Sequence, residues 1–133
     1  LEAALKISQG FGGGMGRQRE VCGCVSGMIM AVSLLEGSSD SLDKKSKDDC
    51  YKTVQELCQK FREKNGSIIC RELLGLVPMG QSEDALKNKT AIEHKIESSV
   101  SSERTSEYYK KRPCDLLCRD AAEIFCEYFN SKK

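Results

Sequence analysis

Cys22-Gly23-Cys24 follows closely on a glycine-rich run, Gly10-Phe11-Gly12-Gly13-Gly14-Met15-Gly16, with Arg17 and Arg19 in between. The apolar residues that follow read as a helix, so Cys22 falls at a helix start, where unpaired amides and the helix dipole favour a thiolate. With the two arginines nearby, a thiol pKa would fall from about 8.5 toward neutrality, which makes Cys22 a nucleophile or a metal ligand. The plain alternative is that both thiols pack as small apolar groups. The glycines allow positive φ at many places and close approach of another group. Backbone amides of Gly12, Gly13, Gly14 and Gly16 with Arg17 could therefore close on a small anionic ligand.

The remaining cysteines differ in kind. Cys70 and Cys114 stand at the edges of predicted elements, and helices packed antiparallel around the loop would bring them toward Cys22, with Cys24 or Cys118 completing a three- or four-thiolate pocket. Cys114 and Cys118, at i and i+4, share a helix face and suit metal ligation. Cys58 shares a face with Val54 and Phe61 and is expected in the core, and Cys126 is expected to pack. Cys50, at a helix start, fits either role.

Several sharper motifs are absent. The glycines fit G-x-G-x-x-G in no register, because Met15, Arg17 and Arg19 occupy the final position, and no P-loop lysine follows. No C-x-x-C occurs, hence no thioredoxin motif, paired zinc knuckle or covalent haem site. His94 lies in a polar segment and is expected at the surface. The acidic residues are scattered and form no pair for acid–base work.

The charged fraction is 31% with a net charge of +1, a mixed surface without the footprint of a nucleic-acid binder. Aromatic residues make up 6% with no tryptophan, which disfavours stacking platforms and aromatic-rich sheets. The longest apolar stretch, Met28 to Leu35, falls short of the roughly 20 residues of a membrane helix, and no signal peptide is visible. Cytoplasmic, reduced thiols are expected. Asn65-Gly66-Ser67 and Asn88-Lys89-Thr90 match the glycosylation pattern but read as a turn and a surface segment.

The elements that position the cysteines are helical. Leu1 to Ser8 carries Ala4, Leu5 and Ile7 at helical spacing, with Gly10 as its stop. Val21, Val25, Met28, Ile29, Val32 and Leu35 form one apolar face up to Glu36-Gly37, followed by a loop over Ser38–Leu42. Asp48 and Asp49 precede a helix with Val54, Leu57, Cys58 and Phe61 inward, ended by Asn65-Gly66. Ile68 to Cys70 is the one stretch compatible with a strand, and Arg71–Leu76 gives a turn or two of helix before Pro78 and Gly80. Residues 81–112 form a polar insert, with a solvated helix around Ala85–Ile96. Pro113 opens a final helix with Cys118, Ala121, Ala122, Phe125 and Phe129 as its apolar stripe. The expectation is an all-α fold, a single helical domain over 1–133 with a glycine-rich loop.

The segment Gly10 to Gly27, G-F-G-G-G-M-G-R-Q-R-E-V-C-G-C-V-S-G, resembles the glycine-loop segment of the family labelled C-GCAxxG-C-C, whose members are regarded as redox-active. Gly66-Ser67-Ile68-Ile69-Cys70-Arg71-Glu72-Leu73-Leu74 is similar to that family's next cysteine segment, and Cys114 with Leu117, Ala121 and Ala122 to its last. The chain departs from the pattern in three ways. Cys24 stands where a small residue such as alanine is expected, a literal GCAxxG from Gly23 would put Met28 at its last glycine, and the cysteine upstream of the loop has no counterpart, a role Cys24 would have to take.

The resemblance implies a helical fold with redox or metal-cluster chemistry carried by Cys22, Cys70 and Cys114, served by a redox partner protein. Cys22, Cys24, Cys70, Cys114 and Cys118 would be the metal ligands, with an iron–sulfur cluster or zinc suited to thiolates. The family is similar in part to a haem-binding cytochrome group whose attachment motif is missing here, so haem is not carried over. A ligand-binding module built on the glycine loop, and a structural helical protein with buried cysteines, are the other two readings.

Overall fold

The computed structural model describes residues 1–89 and 98–133. Helix α1 (Glu2–Ser8) runs into a 3-10 turn at Gln9–Phe11, past the stop expected at Gly10, and a single turn, α2 (Gly12–Met15), follows. The core is made by three longer helices that pack on one another, α3 (Gly23–Glu36), α4 (Lys44–Asn65) and α8 (Cys114–Ser131). Short helices α5 (Cys70–Leu73), α6 (Gln81–Asn88) and α7 (Ser106–Lys110) connect them. The described residues contain no strand, only an isolated antiparallel bridge between Val21 and Ile69. The fold is all-α, and none of the described helices is long and apolar enough to cross a membrane.

In α3 the buried residues Val25, Met28 and Val32 follow the i, i+3, i+7 spacing that aims side chains at one seam. Leu35, expected on that seam, is exposed. It stands ten residues after Val25, a rotation ~80° away from it at 3.6 residues per turn. Helix α4 starts about a turn before Asp48, because Asp43 caps it by accepting a hydrogen bond from the Ser46 N–H at 2.9 Å. It ends at Gly66, whose φ of 88° lets its N–H close on the Arg62 carbonyl. Leu57 and Phe61 from α4 meet Val25 and Val32 at the centre, and Cys58 joins them as expected. Val54 is half-buried against the same cluster.

Helix α8 presents a different face from the expected one. Leu117, Ala121 and Ile124 are buried, with Phe125 and Tyr128 partly buried against the core, while Cys118, Ala122 and Phe129 are exposed. Cys126, expected to pack, is also exposed. Polar contacts set this rotation. Lys64 of α4 pairs with Asp120 at 2.8 Å, and the Tyr128 hydroxyl donates to the Glu36 carboxylate, which Lys132 also meets at 3.1 Å. Both contacts need Asp120 and Tyr128 turned toward α4 and α3, and this carries Cys118 outward.

In the polar insert, α6 buries Ala85 and starts at Gln81 rather than near Ala85. The rest of the helix expected to Ile96, together with His94 and Thr90, lies outside the described residues.

Candidate functional site

The glycine loop is an ordered reversal. Gly13, Gly14 and Gly16 take φ values of 65°, 72° and 65°. A Cβ on Gly14 would stand 2.7 Å from the Cβ of Cys70 and 2.9 Å from the Cα of Arg19, so only glycine lets the loop reach the second cysteine segment. Past the loop, residues 19–22 run antiparallel to 68–71. The Cys22 N–H donates to Ile68 O at 2.8 Å, the Cys70 N–H to Glu20 O at 2.6 Å, and the Arg71 N–H to Arg19 O at 3.1 Å. Side chains alternate in such a ladder, so Cys22 and Cys70 project to the same face, opposite to the bridged Val21 and Ile69.

A buried polar clasp fixes this pairing from behind. Arg71 pairs with Glu20 at 2.8 Å and donates to the Ser82 hydroxyl at 3.1 Å. The Glu72 carboxylate accepts from the Ser67 hydroxyl and, at 2.7 Å, from the Ser82 N–H in the first turn of α6. Burial pushes this carboxyl up, but the hydrogen bonds outweigh it and hold Glu72 below the ordinary carboxylate range.

Cys22, Cys24, Cys70, Cys114 and Cys118 all line one cavity of about 550 Å³. Cys22 stands at the start of α3 with Cys24 in its first turn, Cys70 opens α5, and Cys114 and Cys118 lie in the first turns of α8. The Sγ atoms of Cys24 and Cys118 are 2.6 Å apart, and the Cys24 Sγ lies 3.6 Å from the Cys114 carbonyl. Cys22 is at the expected helix start and only 6% exposed; the cavity is what it faces.

The thiols are electrostatically distinct. The Cys24 S–H pulls the Cys22 thiol down to about 6, against a desolvation penalty and with help from the first-turn amides of Cys24 and Val25. Those amides act by proximity, since Cys22 makes no capping hydrogen bond. Cys118 is lowered to about 7, again chiefly by Cys24. Cys24 itself is pushed well up by donating to Cys118 and Cys22. A thiol has one proton, so Cys24 serves its two neighbours in turn. Burial raises Cys70 and Cys114, although Arg19 donates to the Cys70 Sγ at 4.0 Å and offsets part of the cost.

From the loop, Arg19 rather than the expected Arg17 lines the cavity. Arg17 lies against Gly13 and donates to the Ser102 hydroxyl at 3.3 Å. Gly12, Gly13 and Gly14 line the cavity, whereas Gly16 does not. Arg104, Tyr108 and Arg112, which sequence reasoning missed, complete the wall from the polar insert. The one local signal for them was the i, i+4 spacing of Tyr108 and Arg112, whose guanidinium stacks 4.8 Å from the ring centroid. Among the described residues, no three His, Cys, Asp or Glu side chains are gathered closely enough to hold a metal ion. The donor atoms have the softness for zinc or iron–sulfur clusters, but their arrangement does not fit such a group.

The described helices bring five cysteines and a buried arginine to one cavity behind a glycine loop. The chain is a member of the family described as "Putative redox-active protein (C_GCAxxG_C_C)", whose model matches residues 1–128. None of the curated proteins and none of the solved structures matches it significantly.

Proposed function

We propose that the protein is a thiol–disulfide redox protein in which Cys118 is the attacking thiol and Cys24 the resolving one, with Cys22 as the proton acceptor beside them. The observation that carries this reading is the 2.6 Å separation of the Cys24 and Cys118 sulfurs at the exposed edge of the cavity. Attack requires thiolate and access together. Cys118 combines exposure with a thiol lowered to about 7, whereas Cys22, though lower, is buried.

In the reaction the Cys118 thiolate attacks one sulfur of a partner disulfide and expels the other as a thiolate, leaving a mixed disulfide. The Cys118 sulfur then carries no charge, so the Cys24 S–H turns to the Cys22 thiolate and passes its proton there. The Cys24 thiolate attacks the Cys118 sulfur, forms the internal disulfide and releases the second partner thiolate. The dithiol loses two electrons and the partner disulfide gains them. Cys70 and Cys114, raised by burial, are protonated at neutral pH and wall the cavity.

Trapping tests the roles. A Cys24→Ser variant should accumulate a mixed disulfide on Cys118, whereas Cys118→Ser should form none, as read by intact mass and peptide mapping. An adduct on Cys22, Cys70 or Cys114 instead would overturn the assignment. Metal bound stoichiometrically after anaerobic purification, and lost with Cys22, Cys70 and Cys114 together, would replace it with a metal-centre reading.

A further inference from the structure

The cavity is charged as well as thiol-lined. Among the described residues, Arg19, Arg104 and Arg112 line it, against the single carboxylate of Asp115. Each arginine stands beside a different cysteine. Arg19 donates to Cys70, Arg104 acts on Cys118, and Arg112 acts on Cys114. Guanidinium groups bind carboxylates through paired, planar hydrogen bonds, and Arg112 is held in place by its stacking on Tyr108. Phe11, Met30 and Leu74 give the same cavity an apolar floor. At about 550 Å³ it has the size of a small-molecule site, within the usual range of about 300–1,000 Å³.

We infer that the disulfide exchanged here is a small, carboxylate-bearing one that enters the cavity, its carboxylates held by Arg19, Arg104 and Arg112, rather than a disulfide on the surface of a folded protein. The inference rests on the thiol–disulfide reading above and names its substrate class. The chemistry balances with that substrate as the oxidant. The Cys24 thiol, the Cys118 thiolate and the Cys22 thiolate, with one small disulfide, give the internal disulfide, a protonated Cys22 and two small thiolates. Paired hydrogen bonds from the guanidinium groups favour a carboxylate-bearing disulfide over a neutral one, and a neutral one over a cationic one, with Asp115 and the Cys22 and Cys118 thiolates offsetting part of their charge.

The test follows formation of the Cys24–Cys118 disulfide by acid quench and alkylation with three probes. These are oxidised glutathione (anionic), bis(2-hydroxyethyl) disulfide (neutral) and cystamine (cationic). Each rate is divided by that of the same probe with a simple monothiol, which removes intrinsic reactivity. The expected order is anionic, neutral, cationic, with about tenfold or more between the ends, narrowing at high salt. Arg104→Gln and Arg112→Gln should each reduce the anionic-to-neutral ratio, a readout unaffected by a general change in thiol reactivity. Equal normalised rates, or a faster reaction with insulin as a protein disulfide, would overturn the substrate class while leaving the exchange reading intact. If none of the three probes forms the internal disulfide, the exchange reading itself fails.

Discussion

Cys24, in the first turn of α3, and Cys118, one turn into α8, hold their sulfurs 2.6 Å apart, and this contact joins the two helices at the mouth of the cavity. Both cysteines are free thiols, and one S–H can be shared across this contact.

That shared proton predicts a pH profile. Because the Cys24 S–H stabilises the Cys118 thiolate, alkylation of Cys118 should rise through about pH 7, not through the ordinary thiol range near 9. In Cys24→Ala the donor is gone, and the midpoint should move upward. Alkylation with peptide mapping across pH 5 to 10 reads both, and an unshifted midpoint in the variant would remove the electrostatic basis for Cys118 as nucleophile.

Glycine substitutions should separate the cradle from its surroundings. Gly14→Ala forces a side chain at a φ of 72° into the Cys70 Cβ and the Arg19 backbone, and should cost about 1–3 kcal/mol or more. Gly10→Ala meets nothing within 4 Å and should be close to neutral. Urea denaturation of both variants is the check. Gly14→Ala should also alter Cys70 labelling, because the added methyl points at that side chain.

The Glu72 clasp predicts an acid sensitivity. A carboxyl whose folded pKa lies below its unfolded value of 4.5 contributes stability that is fully present above 4.5 and is lost as pH falls through the lower folded value. Glu72→Gln should cost about 1–3 kcal/mol at pH 7, where the hydrogen bonds from Ser67 and Ser82 reach a charged group. The penalty should shrink on acidification. A penalty independent of pH between 7 and 3 would mean that the charge is not what stabilises the clasp.

The rotation of α8 is open to a paired test. Ile124→Ala should destabilise by about 2–5 kcal/mol, as expected for a buried aliphatic side chain. Phe129→Ala, exposed at the surface, should cost under about 1 kcal/mol. The reverse order, measured by thermal or urea unfolding, would restore the stripe expected from sequence.

Much of the helical framework was legible because one spacing dominated. Val25, Met28 and Val32 in α3, and Leu57, Cys58 and Phe61 in α4, leave a single apolar seam each, and the glycine run has no role in a helix or a strand. Helix α8 carries two stripes of comparable apolarity, Leu117-Ala121-Ile124-Tyr128 and Cys118-Ala122-Phe125-Phe129. The choice between them rests on Lys64 and Glu36, which lie far away in sequence. The same holds at the cavity. Arg17 and Arg19 both take positive φ, and which of them faces the thiols depends on how the loop pairs with residues 68–71. Arg104 and Arg112 arrive from a polar insert whose composition marked it as surface. Cys118 was expected as a metal ligand, but its place as the exposed partner of Cys24 depends on the rotation of α8.

The most direct test of the dithiol account is an equilibrium titration of the full chain in redox buffers of stepped potential, quenched and alkylated, with the oxidation state of each cysteine read by mass. The account predicts one reversible transition in which Cys24 and Cys118 become protected together, with a tenfold change in ratio per about 30 mV as a two-electron couple requires. Cys22, Cys70 and Cys114 should stay reduced through it. A transition pairing other cysteines, or no reversible oxidation of Cys24 with Cys118 at any potential, would contradict it.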